Sequence, residues 1–290
     1  METYRIITDS CCDLTQEMAD ELNLTAVPLY VNFKGDSYPN YLDQRELNTK
    51  EFYDAMRTGE MGSTNAVNPS QWKEAAAPIL KNGQDVLILA FSSGLSTTCN
   101  SAIIAAQELE EEYPDRKVYV VDTLGASMGQ GLMCWYVAKK AQEGVSLEEL
   151  RDYAEEIKPH MAHWFTVNDL FHLKRGGRVS AATAVVGTML QIKPVLHVDD
   201  EGHLVNMLKA RGRKASLEAL VTKLDELGEG YDNSTVFICH GDCLQEAEQL
   251  KALALQRKGV KEVFVGNLGA VIGSHAGPGT LALFFLGKHR

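Results

Sequence analysis

Residues 86–112 read VLILAFSSGLSTTCNSAIIAAQELEEE, and this stretch decides the fold class. Val86 to Phe91 is a continuous apolar run of strand length, broken by Ser92, Ser93 and Gly94, after which apolar residues recur at helical spacing from Thr97 to Glu112. A strand buried on both faces that passes at once into a helix is the repeating unit of a parallel sheet, because parallel neighbours need a crossover. Working outward, Tyr4 to Thr8 and Val118 to Val121 carry the same buried-strand signature. Helices are expected between them at Thr15–Leu22, Glu46–Met56, Ser70–Leu80 and Ala126–Ala141, each opening near a Ser, Thr or Asn. The first half is therefore an α/β unit of Rossmann type, and ligands of such sheets gather at the carboxyl ends of the strands.

A further helix from Ser146 ends at Lys158-Pro159, and the pattern then changes. Strands are expected at His163–Val167, Ile192–Val198 and His203–Lys209, the last two forming a hairpin across Asp199-Asp200-Glu201-Gly202. Helices at Lys214–Leu227 and Gln245–Arg257 and strands at Thr235–Cys239 and Glu262–Val265 complete a second α/β unit with a partly antiparallel sheet. The proline sets the expected boundary: an N-terminal domain over 1–159 and a C-terminal one over 160–290.

Composition narrows the function. With 290 residues, 45% of them hydrophobic, the chain can bury two ordinary cores. Its longest apolar runs fall well short of the ~20 residues of a membrane-spanning helix, and the start lacks a signal-peptide pattern, so a cytoplasmic location is expected. A net charge of −11 disfavours nucleic acid and anionic membranes. From Lys174 to Lys214, however, eight Lys or Arg face three acidic residues, an excess an anion can use. Six dispersed cysteines read as free thiols, and neither Cys239/Cys243 nor His160/His163 has the partners of a metal site. The two histidines could share a helix face.

Small and polar residues cluster where strands should end. Asp9-Ser10 reads as a helix cap or turn. GSTNAVNPS at 62–70 is a loop of hydroxyls and amides. In FSSGLSTTCNSA at 91–102, free amides at a helix start and adjacent hydroxyls suit a carboxylate or phosphate, with Ser96 the hydroxyl that points out and Ser93 its rival. A serine nucleophile at Ser96 is disfavoured, since GLS lacks the G-x-S-x-G elbow. Gly125, Gly129 and Gly131 have the wrong spacing for a dinucleotide fingerprint and read as close packing of a helix on the sheet. LKRGGRVS at 173–180 places backbone amides beside Arg178, and GAVIGSHAGPGT at 269–280 puts His275 in a glycine-rich loop.

Taken in order, TDSCCDL (8–14), STNAVNPS (63–70), SSGLSTTCNSA (92–102), Asp122-Thr123, LKRGGRVS, IKPVLHVDDEGHL (192–204), KARG (209–212) and IGSHAGPG (272–279) resemble the DegV family of bacterial lipid-binding proteins over essentially the whole chain. The resemblance implies two α/β domains holding a long-chain fatty acid such as palmitate at their junction, without catalytic residues, cofactor or metal. It implies that Thr64 and Ser96 bind the carboxylate, with Asn65 a secondary candidate. It further implies that His275, Arg178 and Arg211 lie near the head group and hand it to a separate ATP-dependent kinase subunit, since the chain has no GxxxxGK[ST] loop of its own. Asn65, Ala66 and Val67 replace the family's usual Ser, Gln and Pro, and Thr97, Cys99 and Asn100 replace Gly, Tyr and Gln. Two alternatives stand beside the carrier, which is expected to be monomeric: an enzyme acting on a small phosphorylated or carboxylated metabolite, and a regulatory module whose lipid reports to a protein partner.

Overall fold

The apolar runs around which the reading was built pair side by side. In the computed structural model, which describes residues 3–168, 170–180 and 191–290, β1 (Tyr4–Asp9), β6 (Asp85–Ala90) and β7 (Val118–Asp122) are parallel, with β2 (Leu24–Val27) completing the order β2-β1-β6-β7. Alternation along β6 sends Val86, Ile88 and Ala90 into one apolar cluster and Leu87 and Leu89 into another, so both faces of the sheet are covered. The first face carries α3 (Pro69–Lys81) and α4 (Thr98–Glu112), and α3 starts on a capping box between Asn68 and Gln71 with proline in its first turn. The second carries α5 (Met128–Gln142) and α6 (Leu147–Ile157).

All strands from Met161 onward lie in a six-stranded sheet of order β10-β9-β8-β13-β11-β12. These are β8 (Met161–Thr166), β9 (Ile192–Val198), β10 (Leu204–Arg211), β11 (Thr235–His240), β12 (Glu262–Asn267) and β13 (Leu281–Leu286). Only β11 and β12 run parallel; β9 and β10 form the expected hairpin. Its outer face is packed by α8 (Arg213–Leu227) and α9 (Leu244–Leu255), and its inner face by α5. Helix α5 is thus buried between the two large sheets, which is why its apolar residues follow no single stripe. From the chain end, the buried Arg290 guanidinium donates to the carbonyls of Lys158 (2.9 Å), Thr123 (3.3 Å) and Leu124, tying β13 back to the end of β7.

Several expectations need correction. The polar segment around Thr64 is not simply a loop: Ser63–Asn65 is β5, an edge of a small antiparallel sheet with β3 (Tyr30–Phe33) and β4 (Asp36–Pro39). His275 is in the last turn of a short helix, α10 (Ala270–Ala276), rather than in a loop. His160 and His163 share no helix, since His160 ends a 3-10 turn and His163 is inside β8. Among the described residues no helix is long and apolar enough to cross a membrane.

Candidate functional site

The inner face of the six-stranded sheet and the segments that follow the carboxyl ends of β2, β6 and β7 line a cavity of about 570 Å³, within the range of ligand pockets. Its walls are hydrocarbon for most of their length, with Leu29 and Phe91 on one side and Phe165, Val198 and Phe284 on the other. At one end the lining turns polar: Thr64, Ser93, Ser96, Arg178 and His275 all contribute.

Each of these side chains is held by its own local structure. Thr64 lies on β5, and its Oγ1 is 2.8 Å from His275 Nε2. Ser96 precedes α4; its Oγ accepts the Thr98 N–H at 3.2 Å and shares a hydrogen with Thr98 Oγ1 at 2.9 Å. Its loop is anchored twice. The buried Asp9 carboxyl accepts the N–H of Phe91 (2.7 Å), of Cys11 (3.0 Å) and the Gln130 amide (3.1 Å), while Ser92 Oγ donates to Gly202 O in the β9–β10 turn at 3.0 Å. Asp9 therefore caps a turn, as its position in the sequence implied, and also fixes the loop that carries Ser96. Burial raises its pKa to about 6.

The basic segment follows α7 (Phe171–Arg175), a short helix that sequence reading missed. Arg178 folds back to donate to Leu95 O through Nε and Nη2 (3.1 and 2.9 Å) and to Gly176 O through Nη1 (2.5 Å). Arg175, which sequence reasoning did not single out, donates to Ser274 O at 2.8 Å and Gly62 O at 3.3 Å, so it clamps β5 to α10. His275 is consequently enclosed. A Cβ on Gly176 would lie 2.3 Å from its Nδ1, and burial, followed by the charges of Arg178 and Arg175, lowers its pKa to about 4. At neutral pH it is an uncharged imidazole beside a hydroxyl.

Two of the expected residues lie elsewhere. Asn65 alternates to the other face of β5, is exposed, and accepts from Asn32 Nδ2 at 2.5 Å. Arg211 is exposed at the end of β10, paired with Ile192, and does not line the cavity.

A family model described as an uncharacterised protein family, DegV, matches residues 3–288. The chain belongs to the DegV family. It is 43% identical to a DegV domain-containing protein of Clostridium perfringens over 99% of this chain and 98% of that one. Among solved structures it is similar to a DegV family protein from Thermus thermophilus described for fatty acid binding, with a TM-score of 0.88 and 32% identity over 98% and 99% of the two chains. It is also similar to a stearic acid-binding protein from Eubacterium ventriosum, with a TM-score of 0.87 and 25% identity over 98% of both. The mixed two-domain α/β architecture is that of DegV structures.

Sequence reading of this DegV chain did not consider Ser127 and gave Cys239 and His163 no ligand role, yet all three line the cavity. His163 packs against Gly125 and Gly129, where an added Cβ would lie 3.0 and 2.1 Å from its Nε2. Gly129 does serve close packing of a helix on a sheet, as expected, whereas Gly125 lies before the helix and Gly131 packs against Cys12 O in the 3-10 turn after β1. A signal was present: Gly125-Ala126-Ser127-Met128-Gly129 is a G-x-S-x-G sequence between a strand and a helix.

Proposed function

We propose that this DegV chain binds one long-chain fatty acid, alkyl chain in the cavity and carboxylate at Thr64 and Ser96, and is a carrier without catalytic activity of its own. The observation that supports the reading is a cavity lined mostly by apolar side chains in which Thr64, Ser96, Arg178 and His275 supply a cluster of polar groups. The fatty acid binding described for the Thermus structure and the stearic acid named for the Eubacterium one agree with it. Burying ~14 methylenes at about 0.8 kcal/mol each supplies on the order of 11 kcal/mol before ordering costs, ample for tight binding.

The carboxylate must then be satisfied, because an unpaired buried charge costs several kcal/mol. With its proton on Nε2, the neutral His275 donates to Thr64 Oγ1, which frees the threonine O–H to donate to the ligand. Ser96 Oγ and the first-turn amides of α4 are the second set of donors. In this reading residues 1–159 and 160–290 are two units with the ligand between them. Arg178 and His275 stand where a carboxylate presented to a separate kinase subunit would gain phosphate charge, and the exposed Arg211 is available to that partner.

The test is mass spectrometry of lipid extracted from purified protein beside a Thr64→Ala/Ser96→Ala variant. Stoichiometric fatty acid in the first and loss from the second is the expected result. Protein that carries no lipid and takes up no added palmitate would sink the proposal. A labelled phosphate transfer assay with host lysate, run on loaded protein, tests the kinase hand-over separately.

A further inference from the structure

Ser127 occupies a backbone conformation that L residues seldom adopt, φ 53° and ψ −148°, at the start of α5. Strain of this kind persists where the surroundings need a side chain in one place. Here it carries a buried serine to the cavity wall. Its Oγ lies 2.5 Å from Asp13 Oδ2 and 3.1 Å from Cys239 Sγ. Asp13 is held in turn by the Gly269 N–H at 3.1 Å, and it too has a positive φ, 51°. With Asp13 ionised, the single proton of Ser127 points at the carboxylate. Its Oγ is then an acceptor, and of its two lone pairs the Cys239 thiol can use only one.

The strand register fixes the depth. Cys239 and Phe165 both pair with Ala282, level with Ser127, whereas His163 and Phe284 pair two residues further from the His275 end, ~7 Å along the strands. Their rings meet edge to face at 5.2 Å, and both residues line the cavity. A polar group thus faces the cavity level with Ala282, between Thr280 and Phe284, where saturated methylenes have no use for it.

We propose that Ser127 Oγ, beside Cys239, is a hydroxyl-binding subsite, and that the ligand class of this cavity includes fatty acids with a hydroxyl partway along the chain. The inference rests on the fatty-acid reading above. A hydroxyl both donates and accepts, so it can give its proton to Ser127 Oγ; buried elsewhere along the hydrocarbon wall it would go unpaired.

The test is competition binding at pH 8, above the pKa of about 7 to which burial raises Asp13. Stearate competes with hydroxystearic acids whose hydroxyl is placed at successive carbons through the chain. The expected profile has one narrow optimum at a single position along the chain, about fivefold or more tighter than the neighbouring isomers, the worth of one net hydrogen bond. Ser127→Ala flattens the isomer profile when each hydroxy acid is scored relative to stearate on the same protein, whereas Cys239→Ala, which leaves Ser127 Oγ in place, retains the optimum. A flat isomer profile in the native protein overturns the subsite, whether or not Ser127→Ala folds, and leaves the carrier reading standing if stearate binds. Failure of every acid, stearate included, overturns both.

Discussion

Thr64 and His275 stand 211 positions apart and meet at 2.8 Å. The polar end of the cavity therefore exists only in the folded chain, and its hydroxyl is oriented by an imidazole that burial keeps neutral down to about pH 4. If Thr64 donates to the carboxylate as proposed, Thr64→Ala should weaken fatty-acid binding by ~10–100-fold, the range for a hydrogen bond to a charged group. Thr64→Ser keeps the hydroxyl and should stay within a few-fold. Displacement of a fluorescent fatty acid reads both.

The tightest approach behind the cavity wall is that of Gly129 to His163. A Cβ at residue 129 would be 2.1 Å from the imidazole Nε2, and the ring is fixed by Met161 O at 2.8 Å and the Ala126 N–H at 3.3 Å. Gly129→Ala should cost about 3 kcal/mol or more through overpacking. Because the clash is with one ring, His163→Ala in the same chain should recover part of that loss. Denaturant unfolding of the two single variants and the double closes the cycle, and strict additivity would refute the assignment.

How much of this was legible in the sequence follows from where the information sits. The parallel strands, the β9–β10 hairpin and most helices were read to within a few residues, because apolar runs and caps such as Asn68 and Ser146 are local signals. The small sheet was not. Ser63, Thr64 and Asn65 have no apolar alternation, and their pairing with Tyr30–Phe33 is set by tertiary contacts. The same holds at the site. Thr64, Ser93, Ser96, Arg178 and His275 all reach the cavity, but the sequence alone did not show that Asn65 points away while Arg175 clamps the wall. Ser127 escaped because its G-x-S-x-G was read for its glycines, and neither its strained backbone nor Asp13 behind it leaves a pattern in the chain.

Asp13 gives a pH prediction whose sign is fixed. Burial raises its pKa from 3.8 to about 7, so between those values the folded chain holds a proton that the unfolded chain does not. Its contribution to stability is full below pH 4 and is lost as pH rises to about 7. Asp9, raised to about 6, adds the same sign, while His163 and His275, lowered to about 3 and 4, oppose it up to 6.5. The overall profile is therefore flattened, and a difference measurement is needed. Asp13→Asn should gain on the native protein by on the order of 2–4 kcal/mol between pH 4 and pH 8. A constant difference in unfolding free energy across that range would contradict the assignment.

The far end of the cavity limits chain length if the carboxylate is bound where Thr64 and Ser96 place their hydroxyls. Phe284 and His163 are the lining residues of β13 and β8 furthest along the strands from His275, and Phe284 is the one that can be shortened without stranding a hydrogen bond. Phe284→Ala should destabilise the ligand-free protein by about 3–5 kcal/mol, since the ring also packs in the apolar cluster between the sheets. An acid a few methylenes longer than the native preference can fill the space vacated, at about 0.8 kcal/mol per methylene buried. Binding should thus shift to longer acids, and the longer ligand should restore thermal stability more than the shorter one does. Native mass spectrometry of each protein with an equimolar series of saturated acids reads the shift. An unchanged preference would mean that the acid lies in the cavity the other way round, or ends before it reaches Phe284.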